Sequence, residues 1–252
     1  MPPTAAIHPT RIQRKGNNGM SAIFKREFKS YFTSPIGYTV LAIFFLISGF
    51  FFSVLFAGGS PDLTGLFSTM FLIVLVVIPI LTMRIFTDDK RNKTEQLLFT
   101  APVKLSGVVM GKFFAAFAVF AIAIGITLVY QLLIAAFITP DWMVYIGNLL
   151  GILLLGGTLI AMGMFVSSLT ESPVVAAICS FFLSLFVYIM DSLASLTGVG
   201  FIEKLVGWIS FNERYRQFTV GIFDYDNVIF FVSIIGLFLF FTVRILDRKR
   251  YA

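Results

Sequence analysis

Six stretches of this chain are so long and so apolar that water cannot be their solvent. Ile36–Ala57 contains no charged residue, and neither does Leu63–Met83. Val108–Ile138 runs for 31 residues with a single charge, Lys112. Met143–Leu169, Val174–Met190 and Val228–Val243 complete the set, the last closed by Arg244. A helix rises 1.5 Å per residue, so about 20 apolar residues cross the hydrocarbon layer. Helices suit such segments because lipid offers no partner for a free backbone N–H or C=O. The expectation is an all-α integral membrane protein with six transmembrane helices. The fifth and sixth stretches are short and should extend a turn into their flanks. The third exceeds the layer, so it should tilt or protrude, with Lys112 snorkelling back to the interface.

Composition agrees. Hydrophobic residues make up 58% of the chain and charged ones 13%, with 31 Phe. Soluble proteins carry about 25% charged residues, and disordered chains lack this apolar content. The first stretch is longer than the apolar core of a cleaved signal peptide, so it reads as a signal anchor. Residues 1–19 include Pro2, Pro3, Pro9, Gly16, Asn17 and Asn18. They read as a disordered extension before one membrane domain at 20–252.

Charge placement gives an orientation. Sixteen of the 19 Lys and Arg lie before the first stretch, between the second and third (counting Lys112 in the first turns of the third), or after the sixth. Six crossings put these three regions on one side, and a basic excess marks the cytosol. Both termini of this multi-pass chain are therefore expected in the cytoplasm. The net charge of +6 is a topology signal and not a nucleic-acid footprint, since no basic face with stacking aromatics occurs outside the membrane flanks.

The sequence supplies no catalytic or metal constellation. His8 is the only histidine, which leaves no zinc site and no His-based triad. Cys179, alone in the fifth stretch, reads as a small packing residue. Gly107–Lys112 brushes against a phosphate loop but has three residues between its glycines and Phe113 after the lysine. A phosphate loop needs four and a Ser or Thr. The chain is thus expected to be no enzyme, with no cofactor of its own. Gln131 is the main strongly polar side chain deep in the third stretch, read as making an interhelical hydrogen bond. Gly151, Gly156, Gly157, Gly163 and Ser167 in the fourth stretch permit close helix contact. So few intramembrane charges make an ion-coupled carrier improbable.

Three segments outside the lipid carry more information. In the loop 84–107, charges crowd Asp88–Glu95 and an apolar ridge follows at Leu97, Leu98 and Phe99. Thr94 can cap a short helix over Glu95–Thr100, ended before Pro102. Ile23–Phe32 sorts Phe24, Phe28 and Phe32 from Lys25, Arg26 and Lys29, as an interfacial helix does. The outer segment 192–227 is too long for a turn. Phe201–Ile209 is apolar, and Glu213, Arg214, Tyr215 and Arg216 follow as a polar cluster. A helical hairpin, interfacial or re-entrant, is expected there.

The stretch Asp89–Val103, with Gly111-Lys112 opening the third span, resembles the permease subunits of type-2 ATP-binding-cassette exporters. The later run Ile209–Asp224, followed by Asn227-Val-Ile-Phe-Phe, is similar to the gliding-motility-type branch, widespread in bacteria. The resemblance covers about residues 20–252; Lys93 stands where many relatives have Gly. It implies a bacterial cell-membrane location and a coupling loop seated on a separate ATPase subunit, which holds the ATP and Mg. By position, Asp88, Asp89, Lys90, Arg91, Thr94, Glu95 and Gln96 would face that ATPase. Lys25, Arg26 and Glu27 would flank it, and Glu171 would belong to a second contact. Glu213, Arg214 and Tyr215 mark the outer loop. The implied partners are the ATPase, a second permease like or unlike this one, and an extracellular accessory protein. The leading function is export of an amphiphilic or hydrophobic cargo. The alternatives are ATP-driven force transmission to extracellular partners, or an ATP-independent scaffold or carrier.

Overall fold

The computed structural model describes residues 10–59, 63–92, 104–196, 200–222 and 224–250. Among them the chain is helical with no strand. In order the helices are α1 (Thr10–Thr33), α2 (Pro35–Ala57), α3 (Thr64–Thr82), α4 (Thr87–Arg91), α5 (Leu105–Ile124) and α6 (Ile126–Ala135). Then come α7 (Trp142–Leu169), α8 (Pro173–Leu196), α9 (Gly200–Ile209), α10 (Phe211–Thr219) and α11 (Tyr225–Arg250). Six segments are long and apolar enough to cross a membrane: Pro35–Ala57, Thr64–Arg91, Leu105–Ala135, Trp142–Leu169, Pro173–Leu196 and Tyr225–Lys249. These are the six expected crossings.

Where the boundaries differ, there is a physical reason. Apolar runs mark the lipid boundary, and a helix need not stop there. α8 continues beyond Met190 to Leu196, and α11 passes Arg244 and runs to Arg250. Arg244 lies over the Phe240 ring, 5.0 Å from its centroid, so its charge ends the apolar run without ending the helix. Arg248 and Lys249 then sit in the last turn, where the helix dipole favours cations. The long third span is two helices interrupted at Gly125. The first helix begins at Thr10, inside the stretch expected to be disordered. Cys179 is exposed on α8 rather than packed inside.

Ser34 separates α1 from α2. Its backbone is extended, its Oγ accepts from Ile36 N at 3.2 Å, and Pro35 opens the next helix. That is the N-cap chemistry of a helix start. α1 then lies against α5 and α2. Phe24, Phe28 and Phe32 form a ladder along it, with centroids 5.8 and 5.1 Å apart.

α7 is the centre of the bundle. It packs against α3, α5, α8, α10 and α11. Helices in lipid gain little from hiding apolar surface from one another, so close approach matters most. The glycines of α7 provide it in several directions. A Cβ on Gly156 would run into the Phe120 ring of α5, and one on Gly163 into Thr82 of α3. One on Gly151 would lie 2.6 Å from Phe218 Cβ of α10, and one on Gly157 3.2 Å from Ile235 Cδ1 of α11. Hydroxyls add interhelical bonds: Ser48 to Tyr130 at 3.2 Å and Thr127 to Tyr145 at 3.1 Å. The exposed faces of α2, α8 and α11 carry Phe50, Phe182 and Phe240, as lipid-facing surfaces do.

Gly156→Ala should destabilise the bundle, by about 1–3 kcal/mol, because Phe120 is fully buried and cannot yield. Gly236→Ala, where nothing lies within 4 Å of the added Cβ, should be neutral or stabilising by up to about 1 kcal/mol. Thermal unfolding of the two variants in one detergent compares them; equal losses would contradict the packing described.

Candidate coupling face

The end of the bundle that carries α1, α4 and the C-terminal end of α11 is the basic end. Its organising group is Lys112, one turn or two into α5. Lys112 is 2% exposed; it does not snorkel. Its Nζ lies 2.8 Å from Asp89 Oδ2 and 3.2 Å from Glu27 Oε1. It also donates to Ile85 O at 2.8 Å and faces the Phe86 ring at 5.4 Å. The carboxylates compensate the charge where it sits, so the side chain need not reach for water. A buried ammonium persists only when paired and hydrogen-bonded in this way.

The neighbouring glycine explains why α1 can reach it. A Cβ on Gly111 would sit 3.0 Å from Ile23 Cγ2 and 3.1 Å from Met20 O. Gly111 therefore lets α1 lie against α5, and Lys112 takes Glu27 from it. Arg26 Nη2 binds the same Glu27 Oε1 at 2.6 Å. This hydrogen bond is the first cause that raises the Arg26 guanidinium above its ordinary pKa. Tyr31 donates to Leu81 O at 3.2 Å, tying α1 to the end of α3. Burial pushes its phenol up, so it stays a donor. A cavity of about 340 Å³ lies between these elements, with Arg26, Glu27, Arg84, Asp88, Asp89 and Lys112 on its walls.

A second lysine joins α4 to the C-terminus of α7. Lys90 Nζ donates to Ser168 O at 2.6 Å and Thr170 O at 2.9 Å. Lys249 from α11 reaches Ser168 O at 3.2 Å. The last carbonyls of a helix lack intrahelical partners and carry its negative dipole end, and cations satisfy both needs. Ser167 adds a clasp: its Oγ accepts from Phe86 N at 3.2 Å and donates to Met83 O at 3.4 Å. The α3–α4 turn and the short α7–α8 loop are thus one unit.

Residues 21–246 match the family described as ABC-2 family transporter protein. The chain belongs to this ABC-2 family. No curated protein matches it. An ABC-2 permease is a membrane component of an ATP-binding-cassette transporter, and family membership implies an ATPase partner.

The ABC-2 fold distributes the expected coupling residues unevenly. Arg91 and Glu171 are exposed, and so are Lys25 and Arg26. Asp88 is partly buried. Asp89 and Lys90 are engaged inside the chain, as is Glu27. Thr94, Glu95, Gln96 and the expected helix Glu95–Thr100 lie outside the described residues.

At the opposite end the polar cluster of the ABC-2 chain is also largely internal. Tyr215 is 2% exposed and donates to Phe67 O at 2.6 Å. Arg214 bonds Asn227 Oδ1 at 3.0 Å and Trp208 O at 2.9 Å, and lies 4.4 Å from the Phe230 centroid. Glu213 pairs with Arg216 at 3.1 Å on the surface. Ser210 caps α10 by accepting from Glu213 N at 3.0 Å, and it donates to Asp191 Oδ2 at 2.7 Å. The sequence held the signal for this start: Ser210 and Glu213 stand at capping-box spacing. No comparable local signal pairs Lys112 with Glu27.

Lys112→Met should lower stability by about 3–5 kcal/mol, because it removes the buried cation on which Asp89 and Glu27 converge. Adding Glu27→Gln and Asp89→Asn should recover part of the loss. Lys25→Ala, on the exposed side of α1, should stay within about 0.5 kcal/mol of the parent. Melting of the four proteins in detergent tests the order.

Proposed function

We propose that this chain is the permease subunit of an exporter. A separate ATPase subunit docks on the basic end, which faces the cytosol with both termini. The observation that carries the reading is the Lys90 bridge between α4 and the α7–α8 loop. It makes both expected contact segments a single surface, in a chain that belongs to a transporter family. ATP and Mg belong to the partner. Nucleotide-driven closure of the ATPase pair would move α4, and α4 would carry α7 with it. A second permease, like or unlike, completes the transmembrane part. The few intramembrane charges suit an amphiphilic or hydrophobic cargo, and the run Ile209–Asp224 supports the gliding-motility-type branch in a bacterial cell membrane.

A specific observation favours a second reading, force transmission to an extracellular partner. α10 is pinned to α3 through Tyr215 and to α11 through Arg214, while Trp208 and Ile209 of α9 remain exposed at 74% and 53%. A rigid hairpin with an apolar tip can pass motion outward. Both readings share the ATPase.

Arg91→Ala with Glu171→Ala removes two exposed charges and leaves the internal bonds of Asp89 and Lys90 intact. In reconstituted complexes this pair should weaken ATPase binding by about 1–2 kcal/mol, roughly five- to thirtyfold. Unchanged binding and unchanged membrane-dependent ATP hydrolysis would remove the coupling assignment. Lys90→Ala should leave binding near normal while uncoupling hydrolysis from transport.

A further inference from the structure

α1 leaves an apolar groove against α5, beyond the crossing where Ile23 and Met20 meet Gly111. Its walls are Met20, Ser21 and Phe24 of α1 with Phe114, Phe117 and Ala118 of α5, around a volume of about 640 Å³. The α5 residues follow Lys112 within two turns, further into the crossing Leu105–Ala135. Phe114 is 37% exposed, and Met20, Phe24, Phe117 and Ala118 are half-buried. The groove thus opens into the hydrocarbon of the leaflet at the basic end. Ser21 is the only polar residue on its walls. An empty slot between helices forfeits the contacts of its lining, and packed structures leave few. At this depth the material that fills it is a lipid chain.

Charge marks where the head of that lipid belongs. Lys25 stands one turn from Ser21 along α1, and Lys29 one turn further, so the three share a side of the helix. Both lysines are exposed. Neither pairs with a carboxylate among the described residues, because the acids nearby are committed: Glu27 to Lys112 and Arg26, and Asp89 to Lys112. Two open cations beside an apolar groove fit an anionic phosphate carrying an acyl chain. A choline head would bring a third cation to the same place. A second copy of this chain, packed on the groove about a two-fold axis, would set Lys25 and Lys29 against their own images.

We propose that the groove between α1 and α5 holds one acyl chain of an anionic phospholipid whose phosphate sits on Lys25 and Lys29. The bound lipid fastens α1 to α5 beside the Lys112 cluster. The site stands apart from the transport reading, since it needs neither nucleotide nor ATPase.

The test uses the full chain in detergent. Native mass spectrometry titrates phosphatidylglycerol against phosphatidylcholine with the same acyl chains, and thermal unfolding is followed in parallel. The expected result is one phosphatidylglycerol retained per chain, with a raised unfolding temperature that phosphatidylcholine does not give. Ala118→Phe, which fills the groove, should weaken retention at least tenfold. Ile122→Phe, one turn further along α5 and 44% exposed, should leave it unchanged. Lys25→Gln with Lys29→Gln should lower the advantage of phosphatidylglycerol over phosphatidylcholine about tenfold. Equal retention of the two lipids would overturn the proposal. So would retention undiminished in Ala118→Phe, the mark of annular lipid only, or a preference that survives the loss of both lysines. A lipid-free dimer that Ala118→Phe dissociates would give the groove to a second copy and overturn it too. Should Ala118→Phe fail to fold, the lysine pair still decides, because its side chains lie on the exposed face of α1.

Discussion

Lipid removes the force that usually gathers helices, since hydrocarbon is as good a home for Leu and Phe as another helix is. What remains is close packing, and in this chain close packing depends on α7. Its glycines face four different neighbours. Against Phe120, Thr82 and Phe218 the second helix comes nearer than an added Cβ would allow, and against Ile235 the contact would be tight. α3 and α7 become the interior, and α2, α8 and α11 can afford wide lipid-facing surfaces around them. Hydroxyl pairs such as Ser48 with Tyr130 supplement this packing without placing a charge in the hydrocarbon.

Polar bonding concentrates at the two ends, and it does different work at each. At the basic end the bonds involve charges: one lysine holds two carboxylates, another holds a helix terminus. At the opposite end Tyr215, Ser210 and Arg214 bind backbone carbonyls, Asp191 and Asn227, fixing a helical hairpin on the bundle. Gly221 makes the turn that ends it. Its φ of 82° lies in the left-handed region, where glycine costs least. Ile222 N returns to Gln217 O at 3.0 Å, closing the helix end. Asp224 then accepts from Asp226 N at 3.1 Å and opens α11. The Gly-Ile-Phe-Asp run is therefore a stop followed by a start.

The six crossings were legible because each is a long uncharged run, and no soluble fold tolerates six. Their ends were less so. Arg244 closes an apolar run, but only the surroundings decide that the helix continues. The glycines of α7 were legible as contact points, though not which partner each one meets. Lys112 was misread because snorkelling is what an isolated membrane lysine does. Glu27 is far away in sequence, and only the fold brings it within reach. Gln131 was misread for the converse reason. A polar side chain in a long apolar run is expected to bond another helix, and this one borders an open polar cavity instead. The Ser210 cap of α10 had a local signal, Glu213 at capping-box spacing, that the sequence reading passed over.

The Lys90 bridge has a mechanical consequence. α7 spans 28 residues, about 42 Å of rigid rod at 1.5 Å per residue. One end is fastened to α4 by a lysine; the other part is packed, through Gly151, on Phe218 of the hairpin at the opposite end. A rod anchored at both ends moves as a whole. A displacement of α4 would then have α7 as its path towards the opposite end of the bundle, as tilt or translation. Under the proposed coupling, α7 would act less like a gate with a local latch than like a piston rod, whose stroke is set by how far its two end fastenings travel.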